Sequence, residues 1–454
     1  MLYRLLAPLV RLIVRVFYRR IEVHGLEKIP AGCPLVFAAN HPNMAMDPFM
    51  VGSSCDSPVH FLAKSTLFSP APVGWLLRSL GAVPVYRRTD DASQLHKNRE
   101  TFEECYRVLE RGEAIGIFPE GTSLYSPRLQ PLKTGAARIV LETEERNGFS
   151  KGVKIVPVGL NFRDRHLFRS DVLVLYGDPI DPSWAFDLYR NDPAAAVREV
   201  TDRIEASLEA LTDNLKENQD DRFVKQLRQI YVSGYLAADP AGAPRDLKEA
   251  FEVDQRLVDA YAYFDATQTE RTRKVKIQIE TYLYMIDELG LTVELMNRRR
   301  LRLSWVLAHT LVRLPLLLLV GVPVWVWGFV TNYPPYRLCG VMADRVSTDL
   351  SEPATYKALF GTVLFIVYYA ALTVLTALLG GIPVALLALA SFPIAGFGAL
   401  EVTDRLTRFV QRWRTAVLFR FDRDLATRLA RTRDEIIAEL RAMREEWLAR
   451  PADS

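Results

Sequence analysis

The sequence predicts an α/β domain, a mixed sheet with flanking helices, followed by a helical region and C-terminal transmembrane helices. Three observations carry this. Residues 31–215 alternate short apolar runs with helix-like stretches. Residues 216–302 lose the strand pattern and become charged and helix-periodic. Residues 303–402 hold three apolar segments, one of them long enough to cross a bilayer. At 454 residues the chain exceeds one ordinary domain. Hydrophobic residues at 49% beside 24% charged argue for a folded chain.

Residues 1–30 predict an N-terminal amphipathic interfacial helix. Arg4, Arg11, Arg15 and Arg19 fall on a stripe roughly 80° wide, and Leu, Val, Ile and Phe fill the rest of the wheel. Such a helix lies in a membrane interface with its arginines toward lipid phosphates. A secretory segment would lack those arginines and would carry a small-residue cleavage site. A helix that packs on the soluble domain is the alternative.

In the α/β domain the expected strands are 34–39, 59–63, 82–86, 114–118, 154–160 and 172–176, with helices at 98–111 and 135–145. The strands are continuous apolar runs, as in a sheet covered on both faces. The helical region 216–302 is broken near Asp239, Pro240 and Pro244, and offers no nameable chemistry. In the membrane region, 303–402, the apolar segments are 314–330, 358–379 and 382–402. Pro315 and Pro323 make the first a candidate re-entrant element, and Gly380-Gly381 joins the other two in a tight hairpin. Arg298, Arg299, Arg300 and Arg302 precede the region, and Arg405, Arg408, Arg412 and Arg414 follow it. Both ends therefore read as cytoplasmic, which favours an even number of crossings within a range of two to four crossings or hairpins. The tail, 403–454, reads as a charged, solvated helix.

Composition narrows the function classes. Cys33, Cys55, Cys105 and Cys339 have no CxxC spacing, and His24, His60, His96, His166 and His309 form no pair with metal-ligand spacing, so no metal site is expected. No phosphate-cradling glycine motif of the nucleotide-binding types occurs. Basic residues lack interleaved aromatics, which argues against nucleic acid. The net charge of +3 conceals clusters of arginine beside apolar runs, as next to a lipid bilayer.

Four short blocks carry chemistry: Asn40-His41-Pro42 through Asp47-Pro48, Gly81 through Arg87, Phe118-Pro119-Glu120-Gly121-Thr122, and Val156-Pro157-Val158. On one regular helix His41 and Asp47 would point to different faces. Pro42 and Asn43 disfavour a helix there, and Asp47-Pro48 reads as an N-cap with proline at the first helical position. A turn can then bring the imidazole over the carboxylate, the arrangement of a general base and its orienting acid. The plain alternative is a strand-ending histidine and a capping aspartate. Arg87 ends a strand-like run, where its guanidinium can bind phosphate at a sheet rim. Gly121 lets backbone amides approach an anion or developing oxyanion; Glu120 can accept from a hydroxyl and Thr122 can donate. Pro157 inside a strand suggests an edge or a bulge.

The order and spacing of these blocks resemble the glycerolipid acyltransferase family, strongly over about residues 30–180. The resemblance implies transfer of a fatty acyl group from a thioester, acyl-CoA or acyl-ACP, to a hydroxyl of a glycerol-phosphate-type acceptor, with His41 and Asp47 catalytic. It implies no cofactor beyond the acyl thioester co-substrate, and acyl carrier protein as a possible partner. By the same resemblance Arg87 holds the acceptor phosphate, Glu120, Gly121 and Thr122 contact the glycerol phosphate, Lys64 and Lys133 match basic positions, and Pro157 belongs to a donor-binding block. The family's commonest spacing has four residues between histidine and aspartate; Pro42 to Met46 makes five. That form, with proline after the aspartate, resembles the branch of fungal glycerol-3-phosphate and dihydroxyacetone-phosphate acyltransferases. The resemblance implies an active site on the cytoplasmic face of an integral membrane protein. Glycerol 3-phosphate is the expected acceptor; a 1-acyl-glycerol-3-phosphate or another lysophospholipid is the alternative within the class, and a non-catalytic lipid-binding protein the one outside it.

Overall fold

Among the described residues seven strands form one sheet: β1 (Arg20–His24), β2 (Leu35–Ala39), β3 (Val59–Lys64), β4 (Val83–Val85), β5 (Ala114–Ile117), β6 (Lys154–Phe162) and β7 (Asp171–Tyr176), in the order β1-β7-β6-β2-β5-β3-β4. The computed structural model describes residues 2–450 except 56–57, 70, 88–95, 125, 127, 214–220, 233–243, 297–314 and 316. Arg88, Arg298 to Arg300, Arg302, Leu314 and the Asp239-Pro240 break lie outside the described residues, as does the side chain of Arg4. The residues fall into two compact units. The first is Met1–Asn214 with Met342–Phe360, the second Leu215–Val341 with Gly361–Ser454.

In the first unit β2, β5, β3 and β4 run parallel, and only β6 and β7 pair antiparallel. Alternate residues feed two cores. Val36, Ala38, Ile115 and Ile155 face one, and Phe37, Ala39, Val156, Val158 and Val174 face the other. The helices α1 (Leu2–Phe17), α2 (Met46–Ser54), α3 (Ala71–Ser79), α4 (Asn98–Glu110), α5 (Gly135–Arg146), α6 (Phe186–Asn191) and α7 (Pro193–Leu211) complete the unit. α5 and α7 belong to the first core; α1, α2 and the start of a later helix (Ala354 and Ala358) belong to the second.

The structure departs from three expectations. The sheet begins at Arg20, ahead of the boundary at 31, because β1 pairs in parallel with β7. Pro157 is interior to the sheet, its strand lying between β2 and β7. It is tolerated because β7 pairing starts at Val158 opposite Tyr176, so the missing amide lies beyond that ladder, and the Pro157 carbonyl accepts from Gly177 N at 2.9 Å. Arg19 leaves the arginine stripe: it lies past the end of α1 and binds Asp171 at 2.8 and 3.1 Å.

α1 has three faces. Val10, Ile13, Val14 and Phe17 pack into the core, Arg15 is exposed, and Leu9, Leu12 and Val16 are 43%, 58% and 39% exposed. The helix therefore packs on the domain and still presents an apolar stripe.

The second unit holds α8 (Asp221–Ile230), α9 (Leu247–Thr267), α10 (Thr269–Glu288), α11 (Val293–Met296), the greater parts of α12 (Val322–Val346) and α13 (Pro353–Phe421), and α14 (Arg423–Ala449). The tail is not merely solvated. Leu429, Ile436, Leu440 and Met443 of α14 are buried with Phe264, Ile279 and Tyr282, and Arg271 binds Glu439 and Glu446 at 2.6 and 2.7 Å.

Among the described residues one helix, Pro353–Leu418, is long and apolar enough to cross a membrane. Gly381 (φ 79, ψ 173) breaks it into two legs. The rings of Tyr369 and Phe392 meet at 5.3 Å, so the legs fold back antiparallel. Along the second leg α12 runs from Trp325 opposite Thr403 to Asn332 opposite Phe392. Along the first it runs from Asn332 opposite Tyr369 to Cys339 beside Gly361. Pro334 and Pro335, just past Asn332, withhold amide donors inside α12.

Candidate active site

Parallel strands place their carboxyl ends at one edge of a sheet, and ligands gather there. The loops after β2, β5, β3 and β4 bring His41, the Phe118–Thr122 turn, Lys64 and Arg87 to that edge. Ala38 of β2 lies level with Pro157 of β6.

After β2 the chain turns through Met44, which takes a positive φ of 44°, and enters α2 with Asp47 in its first turn. Asp47 is thus not the N-cap; Ala45 holds that place. The carboxylate points back instead. Asp47 Oδ2 lies 2.8 Å from His41 Nδ1 and accepts from Asn43 N at 2.7 Å. The other face of the turn is held just as firmly. Asn43 Nδ2 donates to Tyr18 Oη at 3.1 Å and to the Arg165 carbonyl at 2.9 Å. Met44 N donates to Ser123 Oγ, and Ala45 N to Thr355 Oγ1.

Complete burial pushes the Asp47 carboxyl above the usual carboxylate range, and the His41 hydrogen bond and charge, then Asn43 N and the Arg165 charge, draw it back. His41 stacks on Phe118, ring centroids 4.1 Å apart and 15° between planes. Its side chain is 19% exposed, so the imidazole is fixed by Asp47 on one nitrogen and reaches the cleft with the other.

Glu120 does something not foreseen. Its Oε1 accepts from His41 N at 2.6 Å and its Oε2 from Gln130 N at 2.9 Å, so it ties the histidine backbone to the β5 loop. Burial raises its carboxyl, and the Gln130 and His41 amides lower it. Gly121 has φ 69, and a Cβ there would stand 2.6 Å from Lys133 Nζ. Its carbonyl accepts from Arg87 Nη1 at 3.2 Å. Arg87, Gly121 and Lys133 are therefore one group, with Thr122 next in the same turn. Lys64 pairs with Val85 at the ends of β3 and β4, and no described contact joins it to His41.

A cleft opens over His41, walled by Glu120, Arg128, Leu160, Phe162 and Arg165. Neither Arg128 nor Arg165 stands in any of the four blocks, and Arg87 is not in the wall. A base, a fixed tautomer and a polar cleft with apolar neighbours can deprotonate a bound hydroxyl.

The sequence was also compared with known proteins. Residues 20–161 match the family model described as Acyltransferase. Over 259 residues, 56% of this chain and 33% of the relative, the sequence is 25% identical to glycerol-3-phosphate O-acyltransferase 2 of Saccharomyces cerevisiae. It is 31% identical to a chloroplastic 1-acyl-sn-glycerol-3-phosphate acyltransferase of Brassica napus, over 32% of this chain and 38% of that one. The matches thus span about a third of these curated relatives. A crystal structure of a 1-acyl-sn-glycerophosphate acyltransferase from Thermotoga maritima aligns with 19% identity and a TM-score of 0.33, covering 46% of this chain and 80% of that one.

Proposed function

With an acyltransferase domain over residues 20–161 as the premise, we propose that the chain is a membrane-bound O-acyltransferase. It moves a fatty acyl group from an acyl thioester, acyl-CoA or acyl-ACP, to a hydroxyl of glycerol 3-phosphate. The observation that carries this is the 2.8 Å pair of His41 and Asp47 opening on the cleft.

His41 Nε2 takes the proton of the acceptor hydroxyl as its oxygen attacks the thioester carbonyl. The tetrahedral adduct then expels the thiolate, which recovers that proton from the imidazolium. Asp47 holds the Nδ1 proton and stabilises the imidazolium, so the substrate hydroxyl does the work of a nucleophilic residue and no acyl-enzyme forms. Glu120 positions the histidine backbone. Arg87 with Lys133, gathered on Gly121, supplies cationic charge for the acceptor phosphate, and Thr122 a hydroxyl donor. Lys64 is a further basic residue on the same sheet edge, and the Pro157 block lies on the donor side.

The yeast relative favours glycerol 3-phosphate as acceptor, and the name of the Brassica relative supports 1-acyl-glycerol-3-phosphate as the second reading. Exposed apolar residues on α1 and on the hairpin of α13 support membrane attachment, and the arginines that flank the apolar region support an active site on the cytoplasmic face. Purified protein, a labelled acyl-CoA and both acceptors decide the question. Turnover with glycerol 3-phosphate, lost by about 100-fold or more in His41→Ala, is expected. Equal turnover in that variant removes His41 as the base.

A further inference from the structure

A phosphorylated glycerol whose hydroxyl sits on His41 carries its dianion only a few bonds away. The thioester carbonyl must approach the same hydroxyl, and its carrier is also phosphorylated. A phosphate entering this cleft therefore needs a cation in the wall, within reach of the imidazole. The wall holds two arginines, Arg128 and Arg165.

Arg165 is the better placed. Its carbonyl is fixed by Asn43 Nδ2 at 2.9 Å, and Asn43 is fully buried in the turn that carries His41 and Asp47. Arg165 thus stands on backbone tied to that turn, and it lines the cleft together with His41. Arg128 belongs to the turn after β5, where its amide donates to Ser126 Oγ at 3.1 Å. The acidic groups in the wall are Glu120, engaged by two backbone amides, and Asp213. Asp47 lies buried behind it.

We propose that Arg165, with Arg128 beside it, is a phosphate-binding site in the cleft over His41, separate from the group that Arg87 and Lys133 form on Gly121. The proposal rests on the acyltransferase reading for its substrate class. The phosphate comes from the acceptor or from the carrier of the acyl donor, and the two sources are separable. A charge-assisted hydrogen bond of this kind is worth about 10-fold or more in binding.

The test compares the full-length protein with Arg165→Gln and Arg165→Lys. KM is measured for glycerol 3-phosphate at saturating acyl-CoA, and for acyl-CoA and the phosphate-free acyl-pantetheine at saturating acceptor. A tenfold rise in acceptor KM in Arg165→Gln, partly restored by lysine, assigns the site to the acceptor. A tenfold rise in KM for acyl-CoA with none for acyl-pantetheine assigns it to the donor. A lower kcat with both KM values unchanged overturns the proposal, because Arg165 then acts only through Asp47. Unchanged kinetics overturn it equally. Calorimetric titration with glycerol 3-phosphate and with coenzyme A needs no turnover. It therefore separates failure of this site from failure of the acyltransferase reading: binding to the unmodified protein must weaken for one ligand in Arg165→Gln, and equal binding of both overturns the site. Melting curves of both variants show whether the fold is retained.

Discussion

Asp47 is a carboxylate that the fold keeps dry. Its Oδ2 takes two hydrogen bonds while Oδ1, equally buried, has none among the described residues. The folded state therefore favours the protonated acid more than the unfolded state does. Stability tied to this group is highest below the unfolded-state pKa and declines as pH rises through the raised folded-state value. Asp47→Asn removes that penalty while withdrawing the charge that supports an imidazolium. Turnover should fall by about 10³–10⁴-fold with the melting temperature held or raised at neutral pH, read by acyl-transfer assay and thermal unfolding. A melting temperature several degrees lower would contradict it. The turn that joins this pair was legible, because Pro42 and Asn43 disfavour a straight helix. Asp47 was misplaced as the N-cap because a cap and an inward-facing first-turn carboxylate look alike in sequence. Arg165 was invisible for another reason. Arg163, Arg165 and Arg169 stand close together in the sequence, and only the fold separates Arg165, which lines the cleft, from Arg163, which pairs with Asp171.

Elements follow their side-chain periods, and the misreadings occur where two demands share one element. β1, RIEVH, alternates charge with apolar residues at a sheet edge and so looks like the trailing end of a polar helix. In α14, Leu429, Ile436, Leu440 and Met443 recur at heptad-like spacing beneath abundant charge, a stripe that charge content alone conceals. α1 serves core and surface together, so its faces are separable by mutation. Phe17 is buried and meets Phe168 edge-on at 5.7 Å, and Phe17→Ala should cost about 3–5 kcal/mol of stability, measured by denaturant unfolding. Leu12→Asp, on the exposed stripe, should leave stability within about 0.5 kcal/mol while weakening sedimentation with anionic vesicles. Undiminished vesicle binding would make α1 a packing helix alone. Tyr18, just past the end of α1, reaches the turn between His41 and Asp47 through Asn43, so loss of the helix should also slow turnover.

For the molecule as a whole, the sequence made the apolar segments plain but left their path open, because hydropathy records length and not direction. The break at Gly381 supplies the direction. At the tip of the α13 hairpin Leu378 and Leu379 are each 80% exposed and Ile382 72%, with no charged or amide side chain among them. A tip that emerged on the far side would set these leucines in water. A cysteine at Leu379 in vesicle-reconstituted protein should therefore resist impermeant maleimides added to either side, and react once detergent dissolves the bilayer. Labelling from the opposite compartment would instead show a full crossing. A hairpin that turns inside the oil has a consequence for how the protein is made. A tip that stays dry in that test would enter the bilayer without hauling any ion through it, because its side chains are all apolar.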